Sequence, residues 1–257
     1  MSAAPACCRY LTARLADVPD SLAWLSRRER ETLDRLHVPK RRQDWLLGRL
    51  VAKRAVAAWL GPADRPPPPS AIEILAAADG APEAYVATVA APLAISISHG
   101  AGRALCAVVP RGMAVGCDLE HVEPRDEGLV EDFFSEDEVA IVRSRDGRAR
   151  DLLVTLVWSA KESALKLLRE GLRLDTRSAR VALDESPVST GEWAPLAVRC
   201  DDRGEAITGW WRTSGDEVLT VVTGAPVAPP LALSATDGLD AGRRIHEDAT
   251  VVMPNWR

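Results

Sequence analysis

Two acidic side chains near the middle of the chain are spaced so that they could bind a metal ion. Asp118 and Glu120 lie two residues apart in residues 113–120, where apolar and polar residues alternate as in a β-strand. Both carboxylates therefore lie on one face of the predicted strand, with Cα atoms about 6.5–7 Å apart. Carboxylate oxygens are ligands that Mg²⁺ prefers, so the pair is a candidate magnesium site. Simple exposure of a polar strand face to water also explains two such acids.

A second charged pair, Glu162 and Lys166, lies in a segment predicted to form a long helix. The two residues are four apart, so their side chains lie about 6 Å apart on one helix face. On its own this is an ordinary exposed pair that contributes about 0.2–0.5 kcal/mol. However, the chain has only four lysines, and Lys161 and Lys166 flank this one glutamate. If Glu162 reaches Asp118 and Glu120, the three carboxylates make a magnesium site with room for phosphate oxygens. Lys166 would then neutralise a departing phosphate.

Helices and strands are predicted in both halves of the chain, which places it in the α+β class. Capping boxes that begin at Ser26 and Ser135 indicate two helix starts. We predict an N-terminal half over residues 1–112, a C-terminal half over 113–224 that carries the acids, and a loosely ordered tail over 225–257. Helices are predicted at residues 26–36, 40–60, 127–145 and 148–169, and strands at 8–15, 71–75, 84–89, 93–98, 103–109, 113–120, 179–183, 196–200, 207–212 and 218–223.

Composition limits the class of protein. The chain has 257 residues, 47% of them hydrophobic, and a formal net charge of −5, which are ordinary values for a folded protein. The mild acidity disfavours nucleic-acid binding, and no apolar run approaches the ~20 residues of a membrane helix. The N-terminal residues lack the pattern of a secretory signal, so we expect a cytoplasmic protein. Five cysteines without a C-x-x-C pair disfavour a disulfide framework or a zinc site.

Further motifs accompany the two charged pairs. In chain order the five motifs are Arg42-Gln43-Asp44-Trp45-Leu46-Leu47-Gly48-Arg49, Ile95-Ser96-Ile97-Ser98-His99, Val115-Gly116-Cys117-Asp118-Leu119-Glu120, Phe133-Phe134-Ser135-Glu136-Asp137-Glu138 and Trp158-Ser159-Ala160-Lys161-Glu162-Ser163-Ala164-Leu165-Lys166. In order and approximate spacing they resemble the signature of the 4′-phosphopantetheinyl transferase superfamily, and most closely its surfactin-type (Sfp-like) branch. The resemblance covers about residues 40 to 180.

The resemblance implies two similar α+β halves packed as a pseudo-dimer, with the active site in the cleft between them. It implies an enzyme that transfers the 4′-phosphopantetheine group of coenzyme A to a serine of an apo acyl or peptidyl carrier protein and releases adenosine 3′,5′-bisphosphate. Such carriers serve fatty-acid, polyketide and nonribosomal-peptide synthesis. We expect a monomer with an internal pseudo-two-fold axis.

The resemblance also assigns roles to residues. Asp118, Glu120 and Glu162 would hold Mg²⁺, and Glu162, directly or through a metal-bound water, would accept the serine proton. Lys166 would stabilise the departing bisphosphate. The residues expected to bind coenzyme A are Arg42, Arg49, Ser98, His99, Asp118, Lys161 and Lys166.

Other interpretations stay open. A solvated helix face explains Arg42 and Arg49 individually, and a structural hydrogen bond at a strand end explains His99. A different Mg²⁺ enzyme, such as a phosphohydrolase or nuclease, could use the same acids, although a nuclease needs a basic track that a net charge of −5 disfavours. A non-catalytic binder of coenzyme A or of carriers is the second alternative, but it has no need of the full acidic set.

Overall fold

Five α-helices and three β-sheets form within the described part of the chain. The computed structural model describes residues 7–61, 67–169, 175–183, 191–201 and 204–234. The helices are α1 (Arg27–Leu33), α2 (Pro39–Leu60), α3 (Glu127–Phe133), α4 (Glu136–Arg143) and α5 (Gly147–Leu168). The strands are β1 (Arg9–Arg14), β2 (Ile72–Ala76), β3 (Pro82–Val86), β4 (Val89–Ala90), β5 (Leu93–Gly100), β6 (Arg103–Pro110), β7 (Val115–His121), β8 (Ala179–Leu183), β9 (Ala194–Cys200), β10 (Ile207–Ser214), β11 (Glu217–Thr223) and β12 (Leu231–Ala232).

The strands are arranged in two larger sheets and one small one. The first sheet has the order β12-β1-β6-β5, antiparallel except for the short parallel pairing of β12 with β1. The second has the order β7-β11-β10-β9-β8 and is antiparallel throughout. The small third sheet joins β2, β3 and β4. The predicted α+β class is therefore confirmed.

Strand β6 is buried on both faces, which explains why its sequence is a continuous apolar run instead of an alternation. Cys106 and Val108 lie in a core that includes Val51 of helix α2. Leu105 and Ala107 lie in a different core, which is shared with strand β7. The first sheet is thus covered by α2 on one face and by the second sheet's edge strand on the other.

Strand β7 has the alternation that the sequence predicted. Cys117 and Leu119 belong to the core shared with β6. Gly116 and Asp118 lie on the opposite face, where residues of helix α5 contact them. The thiol of Cys117 is buried, and burial raises its pKa to about 11, which is typical of an unreactive structural cysteine.

A fully buried ion pair ties helix α2 to the start of α1. Ser26 and Glu29 form the predicted capping box of α1, with Ser26 N donating to Glu29 Oε2 at 2.9 Å. The ammonium of Lys53 lies 2.5 Å from the same oxygen, and both side chains have 0% exposure. Lys53 also donates to the carbonyls of Trp24 and Pro69 at 2.9 Å. The other carboxylate oxygen of Glu29 accepts a hydrogen bond from Ile74 N in β2.

The same arrangement recurs around helix α5. Ser135 and Glu138 form the capping box of α4, and Lys161 Nζ lies 2.8 Å from Glu138 Oε2. Lys161 also donates to the carbonyls of Thr176 and Ala179. The second oxygen of Glu138 accepts a hydrogen bond from Val181 N in β8 at 2.7 Å. Each 22-residue helix is therefore fixed by a buried lysine to a capping box and to a strand.

Most predicted elements are confirmed, with bounds that shift by a few residues. The segment at 127–145 is two helices separated at Ser135, as its capping box indicated. The prediction of a loosely ordered tail is corrected for residues 231–232, where β12 pairs with Arg9 and Tyr10 and adds a strand to the first sheet. Residues 235–257 lie outside the described residues. The division into residues 1–112 and 113–224 stays a prediction.

None of the five helices is both long enough and apolar enough to cross a membrane, considering only the residues that the structure describes.

Replacing Lys53 with methionine should lower the free energy of unfolding by about 3–5 kcal/mol, because the Glu29 carboxylate would stay buried without its cation. Chemical denaturation monitored by circular dichroism measures this change. Lys40→Met is the matched control: the Lys40 side chain is 78% exposed in its pair with Asp44, so the change should stay within about 1 kcal/mol. Equal small effects of both substitutions would contradict the structural role of Lys53.

Candidate active site

Asp118 is the best-defined acidic group of the predicted site. Its carboxylate is almost fully buried, at 3% exposure. The oxygen Oδ1 accepts hydrogen bonds from Ser98 Oγ and from Lys166 Nζ, each at 2.7 Å. Lys166 also donates to the carbonyl of Cys117 at 3.2 Å. The second oxygen, Oδ2, is buried and has no hydrogen-bond partner within the described part of the chain.

The glycine before this aspartate allows helix α5 to approach the strand. A Cβ atom at Gly116 would lie 1.9 Å from the carbonyl oxygen of Ser163 and 2.7 Å from the backbone nitrogen of Leu167. Such distances exclude any side chain at this position. The backbone of α5 therefore lies directly against β7, and this close approach brings Lys166 within reach of Asp118.

Buried hydroxyl groups fix the rotation of α5 on the second sheet. Thr220 of β11 is the registered partner of Asp118 in β7. The Thr220 hydroxyl lies 2.9 Å from the hydroxyl of Ser159 and 2.6 Å from that of Ser163. Because Ser159 and Ser163 are four residues apart, they turn one face of the helix toward β11. The pair Glu162 and Lys166 lies on a neighbouring face of α5.

The two other predicted metal ligands are half-buried glutamates in the electrostatic field of Asp118. Burial raises the pKa of Glu162; Lys166 opposes this rise, and the charge of Asp118 adds to it. Burial, followed by the charge of Asp118, likewise raises the pKa of Glu120 against the opposing effect of Arg125. Arg125 donates to Glu120 Oε2 at 2.7 Å. The three acids are thus electrostatically coupled, and both glutamates carry a cost for being ionised.

The carboxylates of Asp118, Glu120 and Glu162 are chemically suitable ligands for a hard cation such as Mg²⁺. Within the ranges that the structure describes, no three His, Cys, Asp or Glu side chains are arranged to hold a metal ion. Lys166 and Arg125 instead supply the positive charge beside Asp118 and Glu120. The buried oxygen Asp118 Oδ2 has a free lone pair, and oxygen donors are what Mg²⁺ prefers. A cation at this oxygen would satisfy an acceptor that is buried and that no group in the described ranges contacts by a hydrogen bond.

Two arginines predicted to bind coenzyme A lie on helix α2 with other contacts. Arg42 Nη1 donates to the carbonyl of Leu33, at the end of α1, at 2.7 Å. The guanidinium of Arg49 lies over the ring of Trp45, 4.6 Å from its centroid. Burial lowers the pKa of Arg49, with Glu29 opposing the shift. Arg49 Nε is buried and has no hydrogen-bond partner among the described residues, so it is the better placed of the two to donate to an anion.

Ser98 and His99 end strand β5 in different surroundings. Ser98 is buried against Asp118, whereas His99 is partly exposed to solvent. His99 packs against Gly48 of α2, where an added Cβ would lie 3.2 Å from the imidazole Cδ2. Desolvation lowers the pKa of His99, the charge of Asp44 opposes this, and the charge of Lys166 lowers it further. The electrostatic influence of Lys166 therefore extends from Asp118 to His99.

Lys161 does not have the position that the motif predicted. Its side chain has 0% exposure and its ammonium contacts Glu138 and two carbonyls, as described above. Burial lowers the pKa of Lys161, and Glu138 opposes the shift. All three donors of the ammonium have partners, so the predicted contact of Lys161 with coenzyme A is corrected: this lysine fixes the fold.

A cavity of about 720 Å³ lies beside Lys166. The side chains of Arg169 and Asp79, which both line it, form a two-point ion pair with distances of 2.7 and 2.8 Å. This pair connects the β2–β3 hairpin to the end of α5. The remaining lining comes from residues 80–85, 90–91, 93–97, 111–115 and 165–167.

Several residues of the site were not given a role by sequence reasoning. Ser96 accepts a hydrogen bond from the backbone of Cys117 at 3.0 Å. Thr220 aligns α5, and Arg125 pairs with Glu120. The alternation of Ser96 and Ser98 on one face of a strand was the available signal for the first of these. Thr220 and Arg125 lie outside the motifs, and nothing in their local sequence marks them.

Comparison with known proteins finds a family that this region resembles. A family profile described as the 4′-phosphopantetheinyl transferase superfamily matches residues 114–222. This segment runs from the start of β7 through α5 to β11, so it contains the acids and Lys166. Residues 114–222 are therefore similar to the 4′-phosphopantetheinyl transferase superfamily, which confirms the resemblance that the motifs indicated.

Two curated relatives carry the same enzyme name. The chain is 26% identical over 159 residues to the 4′-phosphopantetheinyl transferase HetI of Nostoc sp. (strain PCC 7120), a stretch that covers 61% of this chain and 65% of that relative. It is 32% identical over 76 residues to the 4′-phosphopantetheinyl transferase psf-1 of Bacillus pumilus, covering 30% of this chain and 33% of that relative. The matched stretch spans less than two thirds of each relative. Both names agree with the enzyme class that the motifs predicted.

Replacing Gly116 with alanine should destabilise the fold by several kcal/mol, because the new methyl group would overlap the backbone of α5. The measurement is the free energy of unfolding from urea denaturation. Gly204→Ala is the control, since a Cβ at Gly204 would have no atom of the described residues within 4 Å, and the backbone there has no positive φ to strain. Wild-type stability of the Gly116 variant would show that α5 does not approach β7 as closely as described.

Proposed function

We propose that this protein transfers the 4′-phosphopantetheine group of coenzyme A to a serine of an apo acyl or peptidyl carrier protein and releases adenosine 3′,5′-bisphosphate. One observation carries the proposal: Lys166, which lines the 720 Å³ cavity, also pairs with a buried aspartate whose second oxygen accepts no hydrogen bond from any residue that the structure describes. The superfamily match of residues 114–222 supports the same reaction class.

The cavity is the proposed binding site of coenzyme A. Its volume falls within the range of about 300–1,000 Å³ that is usual for small-molecule sites. Residues of the first sheet, the β2–β3 hairpin and the end of α5 all line it. Because residues from both predicted halves line the cavity, the arrangement supports the proposed cleft between the two halves.

The repeated buried lysine supports the proposed pseudo-two-fold organisation. Ser26, Glu29 and Lys53 in the first half correspond in role to Ser135, Glu138 and Lys161 in the second. In each half the glutamate also accepts a backbone hydrogen bond from a strand that follows the long helix. Two related halves within one chain would supply both walls of the cleft, which favours a monomeric enzyme.

The chemistry can be assigned to the residues of the site. The carrier serine Oγ would attack the phosphorus that bears the pantetheine arm, and the bond from that phosphorus to the bisphosphate oxygen would break. Glu162 would accept the serine proton, since its raised pKa makes its carboxylate a stronger base. Lys166 would turn from Asp118 to the negative charge that develops on the departing bisphosphate.

Asp118, Glu120 and Glu162 are the proposed ligands of Mg²⁺. When bound, the ion would offset negative charge on the diphosphate. Glu120 would have to leave Arg125, which keeps its charge and could then pair with Glu123, 3.4 Å away. Arg49 and His99 are proposed for the 3′-phosphate, and Arg42 could join them only by releasing the carbonyl of Leu33.

Incubating the purified protein with coenzyme A, Mg²⁺ and a panel of apo carriers tests the proposal. Intact-mass spectrometry should show a carrier that gains the mass of one phosphopantetheine group, with bisphosphate released in equal amount. Coenzyme A that is cleaved without any gain of carrier mass would indicate a phosphohydrolase instead. Carrier or coenzyme A binding with neither product would indicate a non-catalytic binder.

Lys166→Gln should lower kcat about 100- to 1,000-fold, the usual effect of removing one group that stabilises transition-state charge. The glutamine amide can still donate to Asp118, so the fold should be retained, and thermal denaturation checks this. Arg148→Gln is the control, because its side chain is 67% exposed in a surface pair with Asp216; its kcat should equal that of the wild type. Normal turnover by Lys166→Gln would remove this lysine from the mechanism.

A further inference from the structure

The motif that contains Ser98 and His99 was expected to bind the phosphates of coenzyme A, but the structure separates the two residues. Ser98 is 7% exposed, and its hydroxyl donates to Asp118 Oδ1 at 2.7 Å. A serine hydroxyl has one proton to donate. Since a phosphate oxygen also needs a donor, Ser98 cannot serve Asp118 and a phosphate at the same time. His99, in contrast, is exposed at the strand end.

Strands β5 and β7 belong to different sheets, and side chains join them where a backbone ladder is lacking. Ser96 Oγ accepts a hydrogen bond from Cys117 N at 3.0 Å, and the Cys117 thiol donates to the Ser96 carbonyl at 3.2 Å. Ser96 and Ser98 share one face of β5. The hydrogen bonds between Ser96 and Cys117 therefore fix how β7 is aligned along β5. In this alignment Ser98 lies beside Asp118, the residue that follows Cys117.

The two donors to Asp118 Oδ1 differ in stiffness. Ser98 reaches the carboxylate through one rotatable side-chain bond from a buried strand. Lys166 reaches it through a long, flexible side chain that is 29% exposed. When Lys166 turns toward substrate charge, Ser98 is the donor that stays. The carboxylate then keeps its orientation, and Oδ2 still has no hydrogen-bond partner among the described residues.

We propose that Ser98 is a positioning residue for Asp118: it holds Oδ1 so that Oδ2 is presented to the divalent cation, and it does not contact the 3′-phosphate of coenzyme A. This inference rests on the proposed function. Partners that orient a metal ligand typically change metal affinity or activity by about 10- to 100-fold when they are removed.

The kinetic test compares coenzyme A with 3′-dephospho-coenzyme A as donors for wild type, Ser98→Ala, Ser98→Thr and His99→Ala. Ser98→Ala should lower kcat/KM about 10- to 100-fold with both donors, and Ser98→Thr, which keeps the hydroxyl, should restore most of the loss. His99→Ala should be impaired with coenzyme A alone. A Ser98→Ala defect that disappears with 3′-dephospho-coenzyme A would overturn the proposal, because it would place the serine at the 3′-phosphate.

A second measurement needs no turnover. Mn²⁺ is titrated by electron paramagnetic resonance into each protein with bound coenzyme A and no carrier. Ser98→Ala should weaken Mn²⁺ binding about 10- to 100-fold, with Ser98→Thr and His99→Ala close to wild type. Unchanged Mn²⁺ affinity in Ser98→Ala, or no Mn²⁺ binding by the wild type, would overturn the inference. A wild-type protein that binds Mn²⁺ but loads no carrier would instead overturn the proposed function, so the two failures are distinguishable.

Discussion

A charged group that leaves water must be paired, and this constraint determines where both long helices lie. Lys53 of α2 and Lys161 of α5 are completely buried, and each ammonium contacts one carboxylate and two carbonyls. The desolvation cost of such ions is several kcal/mol each unless the partners are well placed. Each helix therefore has little freedom to shift against its capping box and strand. The position of α5 fixed in this way is also the position that delivers Lys166 to Asp118.

Lys166 is likewise a cation paired with a buried carboxylate, but its pair with Asp118 is less complete. Burial alone would lower its pKa, but the charge of Asp118 and the other neighbouring groups outweigh burial and raise it. The pair is only partly satisfied, because Asp118 Oδ2 has no hydrogen bond from the described residues. A native fold rarely keeps a buried acceptor unsatisfied without a reason. In the pairs of Lys53 with Glu29 and of Lys161 with Glu138, every carboxylate oxygen has a partner. The pair of Lys166 with Asp118 differs in this respect, which distinguishes the candidate site from the contacts that hold the fold together.

Periodicity and capping signals predicted most of the fold, because they are local. The alternation in residues 113–120 correctly placed Asp118 on the face opposite Cys117, and the boxes at Ser26 and Ser135 marked true helix starts. The separate β2–β4 sheet and the pairing of β12 with β1 depend on contacts between distant segments. No local pattern encodes those contacts. The partner of Ser98 was hidden for the same reason, since Asp118 is twenty residues away on a strand of another sheet.

The sequence alone could have predicted that Lys161 and Lys166 have different roles. Successive residues of an α-helix are rotated by about 100°, so residues four apart differ by about 40° and residues five apart by about 140°. Lys166 and Glu162 can therefore share a site, whereas Lys161 and Lys166 point to nearly opposite sides of α5. The structure agrees: Lys161 turns to Glu138 and Lys166 to Asp118. Helix geometry alone thus allows only one of these two lysines to reach the substrate proposed to bind beside Asp118, and the burial of Lys161 leaves Lys166 as the candidate.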